Sequence, residues 1–357
     1  MKMKKLPMWS LALATFVGGA LTYVVLDLVA PSGPSEQQAV VRDTVAAGPR
    51  LCNYQIARVS GFDKVRPLLY SEPLCESPRY DALRNMVGSM VQQYQANGVV
   101  TSAAVYIRDF RLGEWTCYNG EEQFDPASML KLPILLTWLS MSEEEPGSLD
   151  RKYTCEIAGV VAGKTQYFPS AEAQPNTAYT VRQLLELMTV NSDNRATQTL
   201  MQHMPIGRFI KVFSDLGLHA PAITDTHYAM NVRDVSIFMK ALYNGSYLSP
   251  INSEYALEML TRCEFKQGVV AGLPADISVA HKFGESGDPT EKQLHETALV
   301  YLNGHNYLIT IMTRGQDIMK LPEVLSSISK LVYEQMSGPL ANPMNIGTQQ
   351  LAEARRG

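Results

Sequence analysis

Residues 124–138 of this 357-residue chain read FDPASMLKLPILLTW, and this stretch decides how the interior of the fold is built. Asp125-Pro126 is a helix-start signal, because proline is favoured in the first turn, where its missing N–H costs nothing. The helix predicted over Ser128 to Ser142 is apolar on nearly every side, which is typical of a helix packed inside a protein. A serine at the head of such a helix lies beside unpaired backbone N–H groups and the positive end of the helix dipole.

Lys131 follows Ser128 by one helical turn and projects from the same face. Burial lowers the pKa of a lysine, so its neutral amine could accept the serine proton. In isolation the pattern also fits an N-cap serine and a lysine that reaches solvent. Ser327 and Lys330 repeat the spacing inside the last predicted helix, where a solvated helix face explains it.

Two further motifs follow in the chain. Ser192-Asp193-Asn194 comes after a predicted helix, and Lys282-Phe283-Gly284 ends a predicted strand. Each has an ordinary interpretation by itself, as a helix cap and as a surface charge. All three motifs in this order favour a shared catalytic site over coincidence.

Together the motifs resemble those of the class A β-lactamases and penicillin-binding proteins, and the similarity extends over residues 80–336. The resemblance implies that Ser128 attacks a carbonyl and forms an ester. It implies that Lys131 acts as base or proton relay. It also implies that Ser192 passes the proton to the leaving nitrogen.

The same resemblance supplies the substrate-binding residues. Asn194 is expected to hydrogen-bond the substrate amide, and Lys282 to supply positive charge for the substrate carboxylate. The backbone N–H groups of Ser128 and of Glu285, which follows Gly284, are expected to form the oxyanion hole.

Two departures from the family pattern bear on the activity. Phe283 stands where the family usually has a hydroxyl residue that helps to hold the substrate carboxylate. The segment from Leu216 to Val232 contains no glutamate to activate a deacylating water, and Asp225 and His227 are the only substitutes it offers. The chain is therefore expected to form an acyl-enzyme and to release it slowly.

Helical and strand periodicities predict an α/β (α+β) fold, and the resemblance implies that it is of the β-lactamase/transpeptidase type. An antiparallel sheet of about five strands is closed by distant segments, terminal helices cover one face, and the central helices form an all-helical lobe. Asn303-Gly304 predicts a tight hairpin between the last two strands. The helices are predicted at 80–97, 128–142, 181–190, 195–203, 206–216, 232–242, 252–262 and 321–336, and the strands at 99–109, 114–118, 278–283, 296–302 and 307–313.

The sequence pattern at the N-terminus predicts a membrane anchor. Three lysines within residues 1–5 precede an uncharged run from Leu6 to Leu26, long enough to cross a bilayer with the N-terminus in the cytoplasm. A cleaved signal peptide is the alternative, since Val29-Ala30 resembles part of a cleavage site. The predicted organisation is a cytoplasmic N-terminus at 1–5, a transmembrane anchor at 6–28, a flexible linker at 29–50, the catalytic domain at 51–337 and a disordered tail at 338–357.

Composition limits the possible partners. A net charge of −4 without a basic stripe argues against nucleic acid. Of five cysteines, Cys52 and Cys75 bracket a short segment before the first long helix and are the pair expected to form a disulfide in an exported domain. The cysteines lack zinc spacing, so no metal is expected, and no cofactor is implied.

These observations predict a monomeric serine hydrolase outside the cytoplasm, anchored in a bacterial inner or plasma membrane. The resemblance implies β-lactams or D-alanyl peptides of the peptidoglycan stem as its substrates. The alternative is a catalytically silent domain that binds peptidoglycan or a partner protein.

Overall fold

The computed structural model describes residues 43–45, 52–59, 64–65, 67–156, 166–168, 170–221, 228–287 and 291–338. The predicted anchor at 6–28, Asp225 and His227, and nearly all of the predicted tail lie outside these residues. Within the part of the chain that is described, no helix has the length and apolarity needed to span a bilayer.

The main sheet has five antiparallel strands in the order β5-β4-β10-β9-β8, which confirms the predicted sheet. Its middle strands are buried over almost their whole length, so both faces of the sheet are covered. The strands are β4 (Ser102–Asp109), β5 (Glu114–Tyr118), β8 (Ser278–Gly287), β9 (Lys292–Tyr301) and β10 (Tyr307–Gly315).

Alternation along the strands divides the core between the two faces. Val105 of β4 packs with the terminal helices α1 (Asp81–Ala96) and α8 (Leu321–Met336) on one face. Tyr106 points to the other face and packs with the helical lobe. The helices of this lobe are α2 (Lys131–Glu144), α3 (Val181–Val190), α4 (Asn194–Gln202), α5 (Ile206–Asp215), α6 (Val232–Tyr243) and α7 (Pro250–Thr261).

The helix predicted from Ser128 begins later than expected. A 3-10 turn spans Ala127–Leu130, and α2 starts at Lys131. Ala127 has a positive φ of 48°, which an α-helix excludes, so the chain enters α2 through a tighter turn. Ser128 is therefore presented by a turn at the head of the helix and not by the helix itself.

The tight Asn303-Gly304 hairpin is not found. β9 ends at Tyr301 and β10 begins at Tyr307, so a longer loop joins them. A two-residue type I′ turn needs positive φ at both central residues, whereas here only Gly304 has it, with φ of 73°.

An N-terminal sheet was missed by the sequence analysis. It has the order β1-β2-β3 and consists of β1 (Asp43–Val45), β2 (Tyr54–Arg58) and β3 (Leu68–Pro73). β1 falls within the range predicted as linker. A disulfide joins Cys52 to Cys75, with the Cα atoms 5.8 Å apart, and ties the start of β2 to the chain after β3. A short β6 (Lys152–Thr154) and β7 (Ala178–Thr180) form a second ribbon that was not predicted either.

Candidate active site

Ser128 lies half-buried on the turn between Pro126 and α2. The carboxylate of Asp125 accepts a hydrogen bond of 2.9 Å from the backbone N–H of Ala127, which holds this turn at its start. The left-handed conformation of Ala127 is unfavourable for a residue with a Cβ, by about 1 kcal/mol. Such strain is a recurrent feature of active sites.

Lys131 reaches from the first turn of α2 into the second motif. Its side chain is buried, with 5% of the residue exposed. The ammonium donates to the backbone carbonyl of Ser192, to Ser192 Oγ at 3.1 Å and to Asn194 Oδ1 at 2.8 Å. The first two motifs are therefore in direct contact.

A helix cap fixes the backbone conformation of the Ser192-Asp193-Asn194 motif. Asp193 is the N-cap of α4 and accepts a hydrogen bond from the backbone N–H of Ala196. Burial raises the pKa of Asp193. Ser192, just before the cap, has a positive φ of 55° and is buried. This bend directs its hydroxyl toward the lysines and leaves its side chain little freedom.

Lys282, on strand β8 of the main sheet, also contacts the second motif. Its ammonium donates to Ser192 Oγ at 2.9 Å and to the backbone carbonyl of Phe283 at 2.8 Å, and only 1% of the residue is exposed. Burial lowers the pKa of Lys282 to about 8, although nearby acidic groups, Glu285 and Glu296 among them, act in the opposite direction. The hydroxyl of Ser192 thus lies between the amines of Lys131 and Lys282.

Gly284 allows β8 to pass close to the turn that carries Ser128. A Cβ at this position would lie 3.1 Å from the backbone nitrogen of Met129 and 3.1 Å from the carbonyl oxygen of Pro126. Any side chain would therefore push the strand and the turn apart. The contact brings the end of β8, with the backbone of Glu285, next to the head of α2.

Phe283 extends into the core, although its ring centroid is only 4.5 Å from the ammonium of Lys282. Its ring is 3% exposed and stacks on Phe265 with the ring centroids 4.5 Å apart, in the core beneath α1 and α8. Lys282 and Gly284 occupy the opposite face of β8 by alternation. The usual hydroxyl of the third motif is thus replaced by a core side chain.

The side chain of Glu285 makes two contacts that no sequence pattern indicates. Its carboxylate accepts hydrogen bonds from the backbone N–H groups of Tyr167 at 2.9 Å and Phe168 at 3.5 Å. Burial raises the pKa of Glu285, and its interactions with Lys131 and Lys282 oppose that shift. The two backbone donors therefore hold the carboxylate at the end of β8.

A buried group of Cys263, His281 and Glu296 lies behind Lys282 and was also missed. His281 Nδ1 is 2.6 Å from Glu296 Oε1, and the other carboxylate oxygen accepts a 2.7 Å hydrogen bond from the backbone of Val269. Burial by itself lowers the pKa of His281, but Cys263 and Glu296 outweigh it and raise the pKa to about 9. Nowhere in the described residues are three such side chains arranged to bind a metal.

The structure therefore brings together Ser192, Asn194, Lys131 and Lys282, and it places the Ser128 turn against Gly284. The roles of these residues stay predictions. The candidates for water activation lie outside the described residues.

A model of the β-lactamase enzyme family matches residues 81–336, which is more than half of the chain. The chain belongs to this family. No curated protein sequence gives a significant match.

Solved structures of PBP-A and of class A β-lactamases share the fold. PBP-A has 24% identity, with 72% of this chain and 96% of that chain covered and a TM-score of 0.58. A class A β-lactamase from Mycobacterium abscessus has 18% identity, with 71% and 99% covered and a TM-score of 0.60. A β-lactamase from Chitinophaga pinensis has 18% identity, the same coverage and a TM-score of 0.61. At these identities the likeness shows the fold.

Proposed function

We propose that this member of the β-lactamase family is a serine acyl-transferase that forms a long-lived acyl-enzyme on Ser128 with β-lactams or D-alanyl peptides. The observation that carries the proposal is the position of Ser192 Oγ, 3.1 Å from the amine of Lys131 and 2.9 Å from that of Lys282. The two amines and the hydroxyl form a hydrogen-bonded relay, and the turn at the head of α2 carries the half-buried Ser128.

Acylation follows from this arrangement. Lys131 acts as the base after its ammonium has released a proton to solvent: the Ser128 oxygen adds to the substrate carbonyl while the hydroxyl proton passes to the resulting neutral amine. The oxyanion formed accepts hydrogen bonds from the backbone N–H groups of Ser128 and Glu285, each worth about 3–4 kcal/mol in the transition state. The proton then moves through Ser192 Oγ to the leaving nitrogen, the C–N bond breaks, and an ester remains on Ser128.

Slow release of the acyl group is supported by the sequence between Leu216 and Val232. This segment has no glutamate to activate water, and its candidates are Asp225 and His227. An enzyme that acylates well and deacylates slowly behaves as a penicillin-binding or peptidase-like protein.

The second candidate is a catalytically silent domain that binds peptidoglycan or a partner protein. Phe283 favours it, because a core aromatic replaces a side chain that could hydrogen-bond the substrate. A lost hydrogen bond to a charged group costs about 1–3 kcal/mol, which weakens substrate binding without removing the nucleophile.

The two candidates differ in covalent chemistry. Incubation of the folded protein with labelled penicillin should add the mass of one penicillin to the peptide that contains Ser128, and Ser128→Ala should abolish the adduct. An intact, folded sample without an adduct would favour the silent domain. Where the adduct forms, a lifetime of seconds would indicate a lactamase and one of many minutes a penicillin-binding protein.

Lys131→Met tests the proposed base. The substitution keeps the length and apolar stem of the side chain, so we expect acylation to be lost while the protein still folds. Lys330→Met, in the second Ser-x-x-Lys sequence on α8, is the matched control and should acylate normally. Undiminished acylation in Lys131→Met would assign the base to another group.

Membrane anchoring through residues 6–28, with the catalytic domain outside the cytoplasm, is part of this proposal. It is supported by the uncharged run after the basic N-terminus. Recovery of the intact N-terminus from washed membranes would support the anchor, whereas a mature protein that starts near Pro31 would indicate cleavage.

A further inference from the structure

The ammonium of Lys282 lies over the aromatic ring of Phe283, the next residue in the chain. Alternation directs the two side chains to opposite faces of β8, but β8 is the last strand of the main sheet, and a long side chain can bend around such an edge. The ammonium donates to the carbonyl of Phe283 at 2.8 Å, so the lysine side chain turns back along its own strand. This bend brings the ammonium to 4.5 Å from the centroid of the Phe283 ring.

Two further aromatic side chains hold the ring of Phe283 in place. It stacks on Phe265, with the centroids 4.5 Å apart and the ring planes inclined by 22°. Phe265 in turn meets the ring of Phe168 edge to face, with the centroids 5.1 Å apart. All three rings are buried. Rings packed in this way have little freedom to turn, so the aromatic face next to Lys282 has a fixed position.

The buried ammonium of Lys282 has few other partners to compensate its charge. It has three N–H donors, and the acceptors that the described residues offer it are Ser192 Oγ at 2.9 Å and the carbonyl of Phe283. In the described part of the chain it forms no salt bridge with a carboxylate. A desolvated cation needs compensating interactions, and the negative face of an aromatic ring supplies one that strengthens when water is excluded.

We propose that Phe283 is a positioning residue, whose aromatic face binds the Lys282 ammonium and keeps it charged beside Ser192. The ring would then take over a position at which the family usually has a hydroxyl residue, but it would act through Lys282 and not through a contact with the substrate. A purely apolar side chain could fill the core at this position, so packing alone does not require an aromatic one. The inference rests on the proposed function, in which Lys282 binds the substrate carboxylate.

The test follows the protonation of Lys282 directly. The full chain is prepared with carbon-labelled lysine, and the Lys282 signal, identified by its absence from Lys282→Arg, is titrated by nuclear magnetic resonance. Phe283→Leu removes the aromatic face. Trifluorophenylalanine in place of Phe283 is the second variant, because it keeps the shape of the ring, and hence its packing, while it withdraws electron density from the face. Trifluorophenylalanine in place of Phe265 is the matched control, since it alters the aromatic stack and leaves the ring over Lys282 unchanged.

We expect the midpoint of the Lys282 titration to fall by about one pH unit in Phe283→Leu, which is a tenfold loss of proton affinity, and by less with the fluorinated ring. The direction follows because the aromatic face stabilises only the charged form. The alkaline limit of acylation by penicillin should fall with the midpoint, whereas the control should keep both values. The other titratable groups around this ammonium are the same in every variant, namely Lys131, Cys263, His281, Glu285 and Glu296.

The outcomes distinguish this inference from the proposed function. An unchanged midpoint in both Phe283 variants, with adducts still formed on Ser128, would overturn the inference and leave the proposed function intact. An equal fall in the Phe265 control would overturn it too, since disturbed packing would then explain the shift. A fall confined to the Phe283 variants would support the aromatic contact. Failure of penicillin to label the folded, unaltered protein would contradict the proposed function itself.

Discussion

At the scale of single residues, the unusual feature of the site is the burial of two lysine side chains against one hydroxyl. Lys131 and Lys282 both donate to Ser192 Oγ, and neither has more than a small fraction of its surface exposed. Two ammonium groups so close together repel each other, and burial adds to that cost. The arrangement favours the loss of one proton, which is what a base in this position requires.

The lowered pKa of Lys282 predicts how acylation depends on pH. Its ammonium loses its charge as the pH rises through about 8, so acylation by penicillin, whose carboxylate this cation is proposed to bind, should fall above this value. Lys282→Arg keeps its charge at every accessible pH and should move this alkaline limit upward. The measurement is the acylation rate constant between about pH 5 and 10. A limit that stays near pH 8 in the folded arginine variant would assign it to another group.

At the scale of elements, the two faces of β8 lie in different surroundings: one faces the proposed active site and the other faces the core. One face places Gly284 against the Ser128 turn and Lys282 against Ser192, while the other places His281 and Phe283 in the core. The core contacts fix the register of the strand, because a slip of one residue would exchange the two faces. The position of the proposed catalytic groups is thus set by packing on the opposite side of the sheet.

Gly284→Ala should therefore impair acylation more than folding. The added methyl group would lie 3.1 Å from backbone atoms of Met129 and Pro126, so the strand or the turn must shift by a few tenths of an ångström. We expect acylation to slow by about tenfold to a hundredfold, because reaction rates are sensitive to such displacements. Gly207→Ala, on α5 with no atom within 4 Å of the new Cβ, is the control. Equal rates in the two variants would contradict the role given to this contact.

Elements that are defined by local features, such as helix caps and hydrophobic periodicity, could be predicted from the sequence. The bounds of α3 and α8 were predicted to the residue, since caps and periodicity define them. The start of α2 was placed too early, because the strain at Ala127 arises from tertiary contacts. The carboxylate contacts of Glu285 depend on a segment more than a hundred residues earlier in the chain, which periodicity cannot indicate.

At the scale of the whole molecule, a buried ionic cluster joins the N-terminal sheet to the family fold. The carboxylate of Glu72, on β3, accepts from Tyr106, from Arg108 at 2.6 Å and from Lys240 of α6 at 2.8 Å. All of these side chains are buried. The sequence analysis missed the cluster, since its members come from three distant elements.

The Glu72 cluster predicts loss of stability in acid. Burial by itself raises the pKa of Glu72, but Lys240 and Arg108 outweigh it and lower the pKa to about 2 from 4.5. The folded state therefore holds the carboxylate charged, and this contribution is complete above pH 4.5 and is lost as the pH falls toward 2. Glu72→Gln should lower the free energy of unfolding at pH 7 by about 3–5 kcal/mol, because it leaves buried cations without their partner.

Chemical denaturation as a function of pH checks this expectation. The difference between the unaltered protein and Glu72→Gln should shrink as the pH approaches 2, where the carboxylate is protonated. Glu145→Gln removes an exposed ion pair with Arg151 and should change stability by less than about 1 kcal/mol. Equal effects of the two substitutions would mean that the cluster contributes no more than a surface pair.

The left-handed backbone at Ala127 and Ser192 should make substitutions at these two positions act in opposite directions on stability and on activity. Glycine adopts such a conformation without strain, so a library selected only for heat resistance should accumulate glycine at both positions. A library selected for penicillin labelling should keep Ser192 and reject the looser turn before Ser128. Sequencing the survivors of the two selections would show which positions of this protein are kept for what it does and not for how well it folds.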